Sequence, residues 1–403
     1  MDKMTDYIAW LGDVDFDARP IGAADAMVLC ALAYYDMSPV LDPNGEPFYL
    51  KDRCESIRND GLEIQITGGE QGLDAVLAAA AQSKRFGELV ISNYVEEFEP
   101  ERDLQFSAVT FSWGDKFSFI AYRGTDNTLV GWKEDFMIAY TQTEAQKLAL
   151  EYAKKTIAEP ERKGFISRLK NYFSGHLQNG PSRWYLGGHS KGGNLALFAS
   201  CQLSDEQLSH VEHVYILDGP GSAPEVMEPA LIERIDSKTT RILPEYSVVG
   251  RLMEPEITDT RIVKSSNAGA MQHAIGSWGI YHGDLALAED QKPKDRWVNV
   301  TLRKWIDNMP YEARRPFVNE LFDALAAGGA KTLDDIAGGG KDGLEAIFKS
   351  LRNASGTTKE LLTELRKAAV SELTSSVIDS AKKTFEEDVR PRISGTGAVG
   401  ISE

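Results

Sequence analysis

Between residues 21 and 35 the apolar positions Ala24, Met27, Val28, Ala31 and Leu32 fall three and four apart, the spacing of one helix face. An alanine-rich stretch over 71–84 predicts a second short helix, and the polar, irregular 48–66 between them predicts loop with a short strand. Then the period changes. Residues 88–98 and 104–112 are β-rich, and Trp113-Gly114-Asp115 is a turn signal leading into the apolar run 117–122. This predicts two strands joined by a hairpin, the second ending at Arg123-Gly124-Thr125. Helical patterns follow over 129–138 and 143–157, then a polar insertion over 159–181 and a short apolar strand over 184–188. A helix is predicted over 194–200 and a strand over 214–217, ending in Asp218-Gly219-Pro220-Gly221. Two more strands are expected, one over 241–243 continuing through 247–249, the other over 260–264. Strands alternating with helices predict a largely parallel sheet covered on both faces.

From residue 296 onward helical patterns dominate, interrupted by glycine clusters at Gly328-Gly329 and over 338–340. A last helix is predicted over 358–388, with Leu362, Leu365, Ala369, Leu373 and Val377 along one stripe. Residues 341–390 carry nine basic and nine acidic side chains, so the net charge of −17 sits outside this tail. Such a charge-balanced amphipathic helix either packs on the body or is offered to a protein partner. The expected organisation is a body over 1–325 and a helical C-terminal extension over 326–403 with a glycine-rich joint.

Composition narrows the classes. With 42% apolar and 26% charged residues in 403, collagen-like, coiled-coil-only and wholly disordered chains are excluded. The charge, from 44 basic and 61 acidic residues, repels phosphate backbones, so no nucleic-acid partner is expected. The cysteines Cys30, Cys54 and Cys201 form no CxxC pair, which suits a reducing cytoplasm and gives no structural zinc site. The start Met-Asp-Lys-Met-Thr-Asp lacks the basic-then-apolar pattern of a secretory signal. No apolar run reaches the ~18 residues of a membrane span. The expectation is a soluble cytoplasmic protein without an integral membrane segment.

The strongest chemical signal is Gly188-His189-Ser190-Lys191-Gly192, a G-x-S-x-G between an apolar strand and a helix of small and apolar residues. A serine at a sharp strand-to-helix turn occupies strained φ/ψ, and flanking glycines let neighbouring backbone pass without Cβ clashes. The hydroxyl then stands clear of the sheet, and the N–H of Lys191 points where an oxyanion would form. A glycine-rich turn that merely packs well is the bland alternative. Serine needs a base. His189 lies inside the turn, facing away from Ser190; His176 lies in the polar insertion; His210 and His213 precede a strand, at the wrong end of the sheet. Sites in open α/β sheets form outside the carboxyl ends of strands, which leaves His273, with His282 in reserve. Asp218, closing the strand after the nucleophile, is the candidate acid, in the order Ser190, Asp218, His273. It could equally organise the turn that follows it. A second oxyanion donor is expected at Thr125, through its N–H and hydroxyl. Arg123 and Asp135 could instead form a structural ion pair behind that loop.

These residues look like a known group. Ile120 to Asp126 through Trp132-Lys133-Glu134-Asp135, with the Ser190 elbow, resembles the class 3 lipases, in which F-R-G-T/S-x precedes G-H-S-x-G. More closely, the chain is similar to a bacterial branch of that α/β-hydrolase superfamily carrying G-H-S-K-G-G-N, D-G-P-G and a later Q-H. Here these are Gly188 to Asn194, Asp218 to Gly221, and Gln272-His273; the resemblance covers about residues 5–325. It implies an α/β-hydrolase fold with Ser190 as nucleophile, Thr125 in the oxyanion loop and His273 as base. The acid does not carry over: class 3 lipases have Asp-x-Val after the later strand, where this chain has Ser247-Val248-Val249. Either the acid has moved to Asp218 or the set is incomplete. Lys191 replaces a small or apolar residue, so its charge could favour an anionic substrate group or pair with a surface carboxylate.

The leading expectation is a serine hydrolase of carboxylic esters, acyl-lipid esters included, needing no metal or organic cofactor. A catalytically silent hydrolase-like scaffold, with its tail binding another protein, is the alternative. A thioesterase or acyl transferase would share the same residues.

Overall fold

A computed structural model describes residues 2–41, 45–52, 64–67, 70, 72–125, 128–138, 141–158, 183–288, 310–327, 329, 331, 350, 355, 356 and 359. In chain order its helices and strands begin with α1 (Met4–Leu11), α2 (Ala23–Leu32), β1 (Phe48–Tyr49), α3 (Val76–Gln82) and α4 (Lys84–Gly87). Then come β2 (Val90–Glu99), β3 (Leu104–Trp113), β4 (Phe117–Tyr122), α5 (Leu129–Ile138) and α6 (Glu144–Ala158). They continue with β5 (Trp184–His189), α7 (Lys191–Gln202), α8 (Asp205–Ser209), β6 (Val211–Leu217) and α9 (Pro229–Ile235). β7 (Thr239–Pro244), β8 (Asp259–Val263), β9 (Ile280–Tyr281), β10 (Asp284–Leu285) and α10 (Tyr311–Ala326) complete them.

Strands β1 to β8 form one sheet in sequential order, antiparallel from β1 to β4 and parallel from β4 to β8. Gly114 (φ 50°) turns the β3–β4 hairpin, where Lys116 N–H closes on Trp113 O at 3.0 Å. β3 to β6 are buried on both faces, so their side chains alternate between two cores rather than between core and water. Phe111, Phe119, Ala121, Tyr185 and Tyr215 face the core that holds α2, while Phe106, Ile120, Tyr122, Leu186 and Ile216 face the one beneath α6 and α7. All ten residues of α2 are buried, apolar on every side except at Asp25, whose carboxylate is paired with Arg85. This is the α/β-hydrolase fold.

Two expectations change here. Residues 247–249 do not prolong β7, which ends at Pro244 with one further bond from Glu245 N–H to Val263 O at 3.1 Å, and Ser247 turns toward Asp218. His213 lies within β6 rather than ahead of it, since the strand begins at Val211. A third core of Leu129, Met137, Ala223, Phe317, Val318 and Phe322 seats α10 on α5, with the Phe136 and Phe322 rings 5.6 Å apart. The insertion over 159–181 and, but for residue 359, the helix expected over 358–388 lie outside the described residues. Among the described residues no helix is long and apolar enough to cross a membrane.

Candidate active site

Ser190 joins β5 to α7 at φ 58° and ψ −129°, backbone that a β-carbon disfavours. The turn closes because its neighbours lack side chains. A Cβ on Gly188 would meet the carbonyl carbon of Gly192 at 2.2 Å, and one on Gly192 would meet Tyr122 O at 2.1 Å. The Ser190 N–H donates to Leu217 O at 2.9 Å, clipping the elbow to the end of β6. One residue on, Asp218 has φ 45° and donates its own N–H to Ile242 O at 2.8 Å. Serine and aspartate therefore leave neighbouring strands at the same carboxyl edge.

His273 ends a short 3-10 turn (Gly269–His273) beyond β8. Its Nε2 lies 2.9 Å from Ser190 Oγ and its Nδ1 lies 2.7 Å from Asp218 Oδ2. A carboxylate only accepts, so the proton sits on Nδ1 and the Nε2 lone pair faces the serine hydroxyl. The structure thus brings Ser190, Asp218 and His273 together. His282 is elsewhere, on the exposed β9–β10 turn against Tyr281.

Burial alone would raise the Asp218 carboxyl, but hydrogen bonds from His273 and Ser247 hold it below the usual carboxylate range. Burial works to lower the His273 imidazole; the Asp218 hydrogen bond and charge, with the charges of Glu70 and Asp135, outweigh it and raise it. Glu70 is half-buried, is itself raised by burial, and accepts the Ile275 N–H at 2.8 Å.

The first N–H groups of a helix have no intrahelical acceptor, so the Lys191 N–H at the head of α7 is free of the α7 ladder. Thr125 stands at the end of β4, but its hydroxyl donates to Asp135 at 2.5 Å. A hydroxyl has one proton, and with Asp135 ionised it is spent there, leaving the Thr125 N–H as the donor that residue can offer. Burial pushes the Asp135 carboxyl up to about 7.

The Mbeg1-like family profile matches residues 80–323, which contain Thr125, Ser190, Asp218 and His273. The chain belongs to the Mbeg1-like family. No curated protein matches it. Among solved structures it is similar to that described as "Crystal structure of M37 lipase", at 15% identity over 57% of this chain and 70% of that one. The TM-score is 0.31, so the fold assignment stands on the sheet order and the elbow rather than on that likeness.

Two charges in this Mbeg1-like chain sit differently from expectation. The Lys191 side chain neither borders the site nor pairs at the surface: Nζ runs inward to Gln105 O at 2.8 Å and Glu134 Oε2 at 3.1 Å, with both ions 1% exposed. An ammonium that deep needs a carboxylate beside it. Nor does Arg123 pair with Asp135; it reaches Glu96 at 2.7 Å, because Asp135 is turned toward Thr125.

Sequence reasoning passed over His189. It seats His273: Nε2 lies 2.8 Å from His273 O and Nδ1 lies 2.8 Å from Tyr34 OH. A carbonyl only accepts, so His189 is protonated on Nε2 and takes the Tyr34 hydroxyl proton on Nδ1. Burial, then the nearby His273, lowers its pKa to about 3, which keeps the ring neutral and this tautomer in place. A Cβ on Gly124 would meet Tyr34 OH at 2.0 Å, so the glycine before Thr125 makes room for this support. Only its place in the elbow marked His189. Tyr34 and Glu70 carried no signal, the first at the end of a buried helix and the second in a stretch without period.

Proposed function

We propose that this Mbeg1-like protein is a serine hydrolase that cleaves carboxylic esters through an acyl-enzyme on Ser190. The observation that carries the reading is the continuous hydrogen-bonded line from Ser190 Oγ through His273 to Asp218, at 2.9 Å and 2.7 Å, on a strained elbow. In it, His273 Nε2 takes the Ser190 proton as Oγ bonds the ester carbonyl carbon. The carbonyl oxygen becomes an oxyanion facing the N–H groups of Lys191 and Thr125. When the C–O bond to the alcohol breaks, imidazolium returns the proton to that oxygen. Water, deprotonated by the same nitrogen, then releases the acid and restores the hydroxyl. Asp218 holds the tautomer and stabilises the imidazolium throughout.

The substrate class we propose is a small-molecule or lipid ester. The reaction is placed in the cytoplasm, which fits the unpaired, buried Cys30 and Cys201. The division into a 1–325 body and a 326–403 extension, with its tail helix as a protein-binding element, stays part of this proposal.

Fluorophosphonate labelling of the intact chain tests it. Modification at Ser190 is expected, lost in Ser190→Ala and strongly slowed in His273→Ala, alongside turnover of short p-nitrophenyl esters. An unlabelled wild-type protein, under conditions where a control esterase reacts, would leave the scaffold reading standing.

A further inference from the structure

Lys191 follows the nucleophile and offers the first oxyanion N–H, yet its own side chain leaves the site and enters the protein. Its ammonium meets Gln105 O at 2.8 Å, Gln105 Oε1 at 3.1 Å and Glu134 Oε2 at 3.1 Å. Glu134 is committed further: Oε2 accepts the Gln105 N–H at 3.1 Å and Oε1 the Ala145 N–H at 3.3 Å. One carboxylate therefore ties together β3, the start of α6 and the head of α7. Its chain neighbour Asp135 holds the Thr125 hydroxyl, behind the other oxyanion N–H. Consecutive helical residues point about 100° apart, so α5 reaches to both sides at once.

We propose that Glu134 is a positioning residue, acting through Lys191 to fix the backbone N–H that receives the oxyanion, and that α5 sets both halves of the oxyanion hole through Glu134 and Asp135. This rests on the hydrolase reading above. Glu134 and the Lys191 ammonium are buried away from solvent, so neither meets substrate. A buried ion pair adds little stability over apolar residues of the same volume. What it adds is direction: three acceptors around one ammonium fix where the Lys191 side chain runs, and through it the orientation of the first peptide of α7. A donor displaced by about 1 Å costs on the order of a hundredfold in rate while leaving substrate binding largely intact.

The test compares the wild type with Lys191→Met, Glu134→Leu and the double variant. Each single change strands a buried polar or charged partner and is expected to lower the unfolding midpoint. The double change removes both charges but still leaves the Gln105 and Ala145 N–H groups without the Glu134 acceptor, so its midpoint is expected above those of both single variants rather than at wild type. Its kcat for a p-nitrophenyl ester, and its rate of fluorophosphonate labelling, are expected to fall about ten- to a hundredfold. KM should stay within about twofold, because the change acts on an oxyanion donor rather than on ground-state binding. A double variant that folds and keeps wild-type kcat overturns the inference while leaving the hydrolase standing. A double variant that does not fold makes the pair a stability element and overturns it too. A wild type that is neither labelled nor active overturns the hydrolase reading and this inference with it.

Discussion

Three carboxyl groups influence one imidazole. Asp218 bonds to His273 directly, while Glu70 and Asp135 act on it through charge, and the sum carries its pKa above the 6.5 of a free ring despite burial. On the proposed hydrolase reading His273 acts as base only as the neutral ring, so turnover is expected to fall as pH drops through that raised value. Replacing a neighbouring carboxylate by an amide removes part of what favours the imidazolium, and the pKa comes down. Glu70→Gln is therefore expected to shift the acid limb of kcat/KM to lower pH. The amide oxygen can still accept the Ile275 N–H, so the loop stays in place. An unmoved limb would mean that the Glu70 charge does not reach the ring. At this scale chain order carries information about placement: glycines mark the turn at Ser190, and Asp218 and His273 follow later strands to the same edge, where the three side chains meet. The supports were illegible because they are set by distance in space. Glu70 and Tyr34 come from segments far upstream, and Ser247 stands where the family resemblance expects an acid but donates its hydroxyl to the acid that is present.

Between elements, the glycine-rich elbow and the Asp218-Gly219-Pro220-Gly221 turn form a single joint. A Cβ on Gly193 would lie 2.9 Å from Gly219 Cα, so α7 and the turn touch backbone to backbone. Next to that contact the Asn194 amide donates to Pro220 O at 3.0 Å, Gly221 O at 3.1 Å and Ser222 Oγ at 3.0 Å, while Gln146 donates to its oxygen at 2.9 Å. Every polar atom of that side chain is used, in a site with no exposure. Asn194→Ala is expected to destabilise the chain by about 1–3 kcal/mol, the cost of buried groups left unpaired. Asn194→Asp, close to isosteric, turns a carboxylate oxygen against two carbonyls and is expected to cost more than alanine. Urea unfolding of both variants, read with the labelling rate at Ser190, checks the order. Aspartate tolerated as well as alanine would mean that the donated bonds do not hold the turn. Periodicity made most of these elements legible, since α2, α5, α6 and β3 to β6 fall where the apolar pattern puts them. It failed at 247–249, where apolar valines extend a pattern that the chain breaks at Pro244.

At the scale of the molecule, α1 to α4 pack on the face of the sheet that carries Phe111 and Phe119, and the chain between them supplies Tyr34 and Glu70 near His273, so how these helices are held bears on that residue. Their anchor is a buried pair. Arg85 and Asp25, 0% and 1% exposed, bond at 2.7 Å. The guanidinium also donates to Val14 O at 2.9 Å, Asp15 O at 3.1 Å and Arg19 O at 3.0 Å and lies over the Phe16 ring at 3.8 Å. Asp25 in turn accepts from the Tyr7 hydroxyl at 2.7 Å and the Gly22 N–H at 2.9 Å. One ion pair thus ties α1, the loop after it, α2 and α4. Arg85→Met keeps the volume of the stem but leaves a buried carboxylate without its counter-charge and four carbonyls, Pro20 O at 3.4 Å among them, without their donor. The expected loss is about 3–5 kcal/mol, the range for breaking a buried pair from one side. Lys51→Met serves as the control, because its bond to Glu88 at 2.5 Å is half-exposed, and exposed pairs contribute under about 1 kcal/mol. Denaturant unfolding separates the two. Where Arg85→Met still folds, its pH midpoint should match wild type, because Asp218, Glu70 and Asp135 remain around His273. A displaced midpoint would instead mean that loosening this face moves Tyr34, and through His189 the carbonyl of the base itself.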